Sequence, residues 1–172
     1  SSTYILYCEG DVASPLSATA SLPSSTYSLV WYDTDGVTVL STAPTPSTTT
    51  VGSSQIYYVA QSNTITGCIS EFKLDITVDI KAIPSAPLVS PTIEYCVDVS
   101  ALPLTATAID ASNTLVWYDT DGVTVLVGAP TPVTTTTTSI GTQTYYVSEK
   151  TPNGCEGPKS SITVIVNNNP PV

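Results

Sequence analysis

Apolar residues in this chain come in short runs separated by turn signals, and several of the runs alternate with polar residues at the period of two expected of a half-buried strand. Ile5–Cys8 reads as an entry strand, and Leu16-Ser-Ala-Thr-Ala20 alternates cleanly. Leu29–Asp33 and Val37–Leu40 read as a hairpin about Thr34-Asp35-Gly36, where Asp-Gly is a strong short-range turn signal. Two threonine runs, Thr48–Thr50 within Ser47–Val51 and Thr134–Thr138, could be O-glycosylated, form a flat ligand-binding face or, as propensity favours, be a strand with a polar outer face; the first precedes a strand at Ile56–Ala60. Phe72–Ile80 reads as the last strand, which makes about seven per domain, the pattern of a β-sandwich.

The whole pattern occurs twice. Tyr7-Cys8 returns as Tyr95-Cys96, and Pro15-Leu16 as Pro103-Leu104. The stretch LVWYDTDGVTVL from Leu29 to Leu40 is identical to Leu115–Leu126. Ala43-Pro-Thr-Pro46, Tyr57-Tyr-Val59, Gly67-Cys68 and Ile76-Thr-Val78 return as Ala129-Pro-Thr-Pro132, Tyr145-Tyr-Val147, Gly154-Cys155 and Ile162-Thr-Val164. A period of this length is that of a whole domain rather than a solenoid unit. The expected organisation is a first repeat over 1–82, a proline-rich linker over 83–91, a second repeat over 92–167, and the start of a further linker over 168–172. Prolines 84, 87 and 91 favour an extended, stiff connection. The simplest reading is a fragment of a longer array.

Composition then narrows the function. Fourteen prolines and nine glycines leave little room for a long helix, and a 41% hydrophobic share is enough for packed cores. Four lysines, no arginine, no histidine and a net charge of −10 give no basic footprint for nucleic acid and disfavour anionic membranes. No run is long enough to span a bilayer, so membrane insertion by this stretch is not expected.

The four cysteines, Cys8, Cys68, Cys96 and Cys155, offer no Cys-x-x-Cys pair, and without histidine a Cys/His zinc site is ruled out. One pair per repeat reads as one intradomain disulfide, Cys8–Cys68 and Cys96–Cys155, formed in an oxidising compartment. Cys8 precedes the second strand and Cys68 follows the sixth, so the bridge is expected near one end of each sandwich. Pairing between repeats looks sterically awkward for separate sandwiches. A bridge closing about 60 residues would stabilise a domain by roughly 4 kcal/mol.

Trp31 and Trp117 stand where an immunoglobulin-like third strand supplies a buried tryptophan, and Tyr57 and Tyr145 resemble a tyrosine corner, with Val59 and Val147 at the usual cysteine position. Taken together, Tyr-Cys, Pro-Leu-x-Ala-Thr-Ala, Leu-x-Trp-Tyr-Asp, Ala-Pro-Thr-Pro, Tyr-Tyr-Val, Gly-Cys and Ile-Thr-Val resemble the immunoglobulin-like repeats of very large secreted proteins of Bacteroidetes. That resemblance implies an all-β, two-sandwich fold, type IX secretion to the cell surface, and an architectural role in adhesins, some of them in gliding motility. It brings no catalytic residues. The two copies depart from one another after Gly-Cys, with Ile69-Ser-Glu in one and Glu156-Gly-Pro in the other.

Two candidate sites remain. Asp33 and Asp35 recur as Asp119 and Asp121, and Asp-Thr-Asp-Gly has the flavour of a calcium loop, though the distal glutamate of an EF-hand is missing. The plainer reading is that Asp-Gly makes the turn. The same aspartates are too close together in one hairpin to build a glycosidase cleft, and with no histidine base no enzyme is expected. Tyr32 and Tyr118 neighbour the core tryptophans and by alternation point to the other face, where they could stack on a sugar or pair across strands. No cofactor is expected, with calcium the one candidate. The expected partners are neighbouring repeats of the same chain, with a surface glycan or protein as candidate ligand. The leading expectation is a rigid extracellular spacer, with each domain roughly 35 to 45 Å long. A glycan- or protein-binding accessory module is the rival.

Overall fold

The computed structural model describes residues 3–20, 26–135 and 140–169. The chain divides into two compact units, Ser1–Ala82 and Ile83–Val172. Among the described residues there is no helix, so the expected all-β class holds in both.

In the first unit β1 (Thr3–Cys8), β2 (Tyr27–Tyr32), β3 (Val39–Leu40), β4 (Gln55–Asn63) and β5 (Leu74–Lys81) form one five-stranded sheet in the order β1-β5-β4-β2-β3. It is a mixed sheet. β2, β3, β4 and β5 pair antiparallel, whereas β1 runs parallel to β5, from Thr3 beside Ile76 to Cys8 beside Lys81. Alternation along β5 decides the core: Ile76, Val78 and Ile80 are buried on one face and pack with Trp31, Tyr57, Val59 and Leu16. Leu16 and Ala18 come from the segment expected as a strand; it covers the core as extended chain outside any ladder.

The second unit repeats this sheet as β7 (Thr92–Cys96), β9 (Thr114–Tyr118), β10 (Val125–Leu126), β11 (Gly141–Lys150) and β12 (Ser160–Asn167), in the order β10-β9-β11-β12-β7. Its core is Trp117, Tyr145, Val147, Ile162, Val164, Val166 and Leu104. Here the covering layer is partly hydrogen-bonded, because β8 (Ala106–Thr107) pairs with β6 (Leu88–Val89). The residues expected as a linker, 83–91, therefore take part in the second unit. Ser160 Oγ donates to the Pro87 carbonyl at 2.6 Å, and Pro84 lies so close to Gly157 that a β-carbon there would stand 2.1 Å from the Pro84 oxygen. Of the segment 168–172, residues 170–172 lie outside the described residues.

The threonine runs differ from expectation. Ser47–Val51 joins no ladder; Thr48 is instead buried, and its hydroxyl donates to the Asp11 carbonyl at 2.8 Å. Thr134 does the same to the Val99 carbonyl at 2.6 Å, while Thr136–Thr138 lie outside the described residues. Each hydroxyl so satisfied ties a loop to the edge of its sandwich, as a buried polar group requires. A glutamine completes the tie. Gln55 Nε2 donates to the Ser47 carbonyl at 2.6 Å and Gln143 Nε2 to the Val133 carbonyl at 2.8 Å. The hydroxyls of Tyr57 and Tyr145 donate to these glutamines at 3.0 Å, so these tyrosines brace a side chain two residues back. Burial raises both tyrosine pKa values above the ordinary phenol value.

Candidate functional site

The repeated hairpin is the most strongly built feature of each unit. Asp33 and Asp35 are held by the turn they make. Asp35 Oδ1 accepts the Val37 and Thr38 amides at 2.8 Å, its Oδ2 accepts the Thr38 hydroxyl at 2.6 Å, and Asp33 Oδ1 accepts the Thr34 amide at 2.7 Å. Asp119 and Asp121 repeat the arrangement with Thr120, Val123 and Thr124. The Thr124 hydroxyl and the two amides favour the ionised carboxylate and lower Asp121 to about 2, and the equivalent donors from Thr38 and Val37 lower Asp35. The carboxylates thus act as acceptors for an Asx-type turn. Among the described residues, no three acidic or cysteine side chains are grouped as metal ligands would be.

Tyr32 and Tyr118 are buried, at 6% exposure each, which suits the cross-strand reading and not an exposed stacking platform. Alternation does turn them away from the core, beside Tyr58 and Tyr146 on the neighbouring strand. That outer face is not open. Lys73 Nζ sits 3.7 Å from the centre of the Tyr32 ring and donates to the Gly36 carbonyl at 2.6 Å; Lys159 sits 3.4 Å over Tyr118 and donates to the Gly122 carbonyl at 2.7 Å. The lysine bolts the hairpin tip to the sheet through a cation–π contact and a charge-assisted hydrogen bond. Gly36 is required at that tip: its φ is +69°, and a β-carbon would press on Tyr58 at 3.3 Å. Two of the chain's four lysines recur at one spacing, Lys73 and Lys159, and that recurrence was the available signal for this clasp.

The second unit adds two polar clusters. The Tyr118 hydroxyl donates to Glu156, which also accepts the Ser148 hydroxyl at 2.6 Å. Fully buried Glu149 accepts the Ile109 amide at 2.5 Å and Asn113 Nδ2 at 2.8 Å. Burial alone would raise the Glu149 carboxyl, but the donors from Asn113, Ile109 and Asp110 outweigh it and hold it below its ordinary value. The first unit has Ala60, Gln61 and Ile69 at these places, with an open groove lined by Leu29, Val59, Ala60, Phe72 and Leu74.

The cysteines overturn the expected pairing. Cys8 lies beside Lys81, at the end of the sheet where Gly52 donates its amide to Ile80. Cys68 lies at the other end, its carbonyl accepting the Asn63 amide at 2.8 Å. About eleven residues of extended chain separate Gly52 from Asn63, roughly 35 Å, whereas a disulfide spans less than about 7 Å between α-carbons. In the second unit Cys96 lies beside Asn167 and Cys155 beyond the far end of β11, where Thr151 donates to its carbonyl at 2.8 Å. Neither Cys8–Cys68 nor Cys96–Cys155 can form. Cys8 and Cys155 are oxidised, and Cys68 and Cys96 are free, exposed thiols. The parallel pairing of β1 with β5, and of β7 with β12, is what carries the Tyr-Cys cysteine to the opposite pole from Gly-Cys.

Both units match one family model, the immunoglobulin-like domain described as CHU_C associated, over residues 2–81 and 84–168. The chain belongs to this family. Among solved structures it is similar to the fibronectin(III)-like modules of Clostridium thermocellum CbhA, at 14% identity and a TM-score of 0.49, covering 96% of this chain and 90% of that one. It is also similar to chicken VE-cadherin EC1-2, at 14% identity and a TM-score of 0.35, covering 98% of each chain. No curated protein matches. As two CHU_C-associated immunoglobulin-like domains in tandem, the chain has the organisation of a structural repeat.

Proposed function

We propose that these domains are non-enzymatic spacer repeats of a long extracellular adhesin, carried to the cell surface of a member of the Bacteroidetes by type IX secretion and serving attachment or gliding. The observation that supports this most is that the best-built feature of each unit, the Tyr-Asp-Thr-Asp-Gly hairpin, is spent on the domain itself. Its aspartates cap their own turn and its tyrosine lies under a lysine. A catalytic or ligand-binding hairpin would aim such groups outward. Membership of the CHU_C-associated family in both units fits an extracellular setting, and the strong acidity of the chain suits a protein crowded at a surface. The rival reading, an accessory module for a glycan or protein, has no comparable support, since Tyr32 and Tyr118 are covered.

Small-angle scattering tests the spacer directly. An elongated particle with a maximum dimension on the order of 80 Å, two strand-and-loop lengths in line, is the expected result. A compact particle would overturn it.

A further inference from the structure

We propose that the open groove on the first unit is the seat of an extended, proline-containing leader running into β1, of the kind that residues 84–89 form on the second unit. The first repeat is then completed by a segment that enters it from its N-terminal side, whatever the array is for.

A position-by-position match of the two units carries this. The groove is lined by Ala18, Thr19, Ser70, Phe72 and Leu74, among others. The recurring Pro-Leu and Ile-Thr-Val segments put Ala18 and Thr19 at the places of Ala106 and Thr107, and Leu74 at that of Ser160. Ser70 stands at the place of Gly157: its amide donates to the Gln61 carbonyl at 2.8 Å, as that of Gly157 donates to the Glu149 carbonyl at 2.9 Å. In the second unit all four counterparts meet the leader. Thr107 and Ala106 pair antiparallel with Leu88 and Val89, the Ser160 hydroxyl donates to the Pro87 carbonyl, and Gly157 faces Pro84. Val89 also packs against that unit's core. In the first unit, by contrast, Ala18 and Thr19 have no ladder partner among the described residues. The wall of the one groove is the floor under the other's leader.

An open backbone edge beside apolar side chains is what an added strand recognises, the main chain supplying the hydrogen bonds and the pockets the selectivity. The two slots differ in chemistry. Phe72 and Leu74 replace Pro158 and Ser160, so the first is more apolar and has no hydroxyl for a leader carbonyl. Phe72 is 84% exposed, apolar surface for an aliphatic or prolyl side chain to cover. Ser70 brings the β-carbon that Gly157 lacks, and at 157 that atom would stand 2.1 Å from the Pro84 oxygen. A leader on the first unit therefore shares the path of residues 87–89 and departs from it before the position of Pro84. Only Ser90 and Pro91 separate β6 from β7, so a leader joined ahead of β1 meets its slot at a high effective concentration that a separate chain lacks.

Grafting the second unit's leader onto the first tests this in the full chain. Ser1 and Ser2 are replaced by residues 83–90, which the Tyr-Cys match sets in the same register ahead of Thr3. Amide exchange over residues 17–20, followed by mass spectrometry, is expected to slow about tenfold relative to the unaltered chain. Adding Ser70→Gly to the graft is expected to slow it further, because the leader can then follow its path back to Pro84. Ser70→Gly without the graft should give no slowing, nor should a graft of the same residues in scrambled order. Unchanged exchange in both grafted chains would overturn the proposal, as would equal slowing by the scrambled leader. So would slow exchange over 17–20 in the unaltered chain that deepens as its concentration rises, which would assign the groove to a second copy.

Discussion

The two repeats share the hairpin residue for residue and differ in what lies beside it. In the second, Glu156 accepts from Tyr118 and Ser148 on the outer face while buried Glu149 accepts from the Ile109 amide and Asn113; in the first, Ala60, Gln61 and Ile69 stand at the equivalent positions beside an open groove. The sheet order and the hydrophobic core are the same in both. The difference therefore teaches that the aromatic core and the lysine clasp specify the fold, and that the outer shoulder of the sheet is free to vary in polarity. A buried polar network tends to be all or nothing, because an incomplete one leaves desolvated groups behind.

The largest effect should come from breaking the network on one side only. Glu149→Ala strands the Ile109 amide and the Asn113 side chain, and should destabilise the second repeat by about 1–3 kcal/mol. Gln61→Ala, at the equivalent half-exposed site, should cost less than about 1 kcal/mol. Hydrogen exchange resolved to each repeat, with urea as denaturant, checks both, and equal losses would break the comparison.

Next, Lys73→Met and Lys159→Met remove the same clasp from each copy. Each should cost about 0.5–1 kcal/mol and quicken exchange at the hairpin tip. A large inequality between them would show that the neighbouring Glu156 takes part in holding Lys159, whose charge helps lower that carboxyl.

The smallest effect is in acid. Asp121 falls from the ordinary 3.8 to about 2 on folding, so its contribution is present above about pH 4 and is lost as pH falls from 4 towards 2. Asp35 loses its contribution in the same direction. Glu149 and Glu156 are lowered as well, and only the second repeat has them, so acid should weaken the second repeat more steeply. Denaturant titrations between pH 5 and 2 measure this, and Asp121→Asn should flatten part of the slope.

Much of this was legible in the residues. The exact recurrence of LVWYDTDGVTVL marks the domain period, and Asp-Gly gives the turn that both hairpins make. Trp31 and Trp117 lie in the cores as their strand positions imply. What alternation could not supply was what covers the other face: Tyr32 turns outward as period two requires, then meets a lysine 41 residues further along. Nor does periodicity carry strand direction. β1 reads the same whether parallel or antiparallel to β5, yet that choice moves Cys8 from one end of the sandwich to the other. The threonine runs misled for a related reason, since a β-favouring composition also suits extended chain whose hydroxyls bond loop carbonyls.

The contact of Pro84 with Gly157 bears on how such an array can be cut and rejoined. Because no side chain fits at 157 without displacing the incoming backbone, residues 83–91 are matched to the domain that comes after them. The interchangeable cassette accordingly begins at Ile83, and its junctions belong immediately before the prolines. Gene duplications or engineered concatemers that break there would carry each docking segment along with its own receptor surface. A break after Pro91 would hand every domain a stranger's leader.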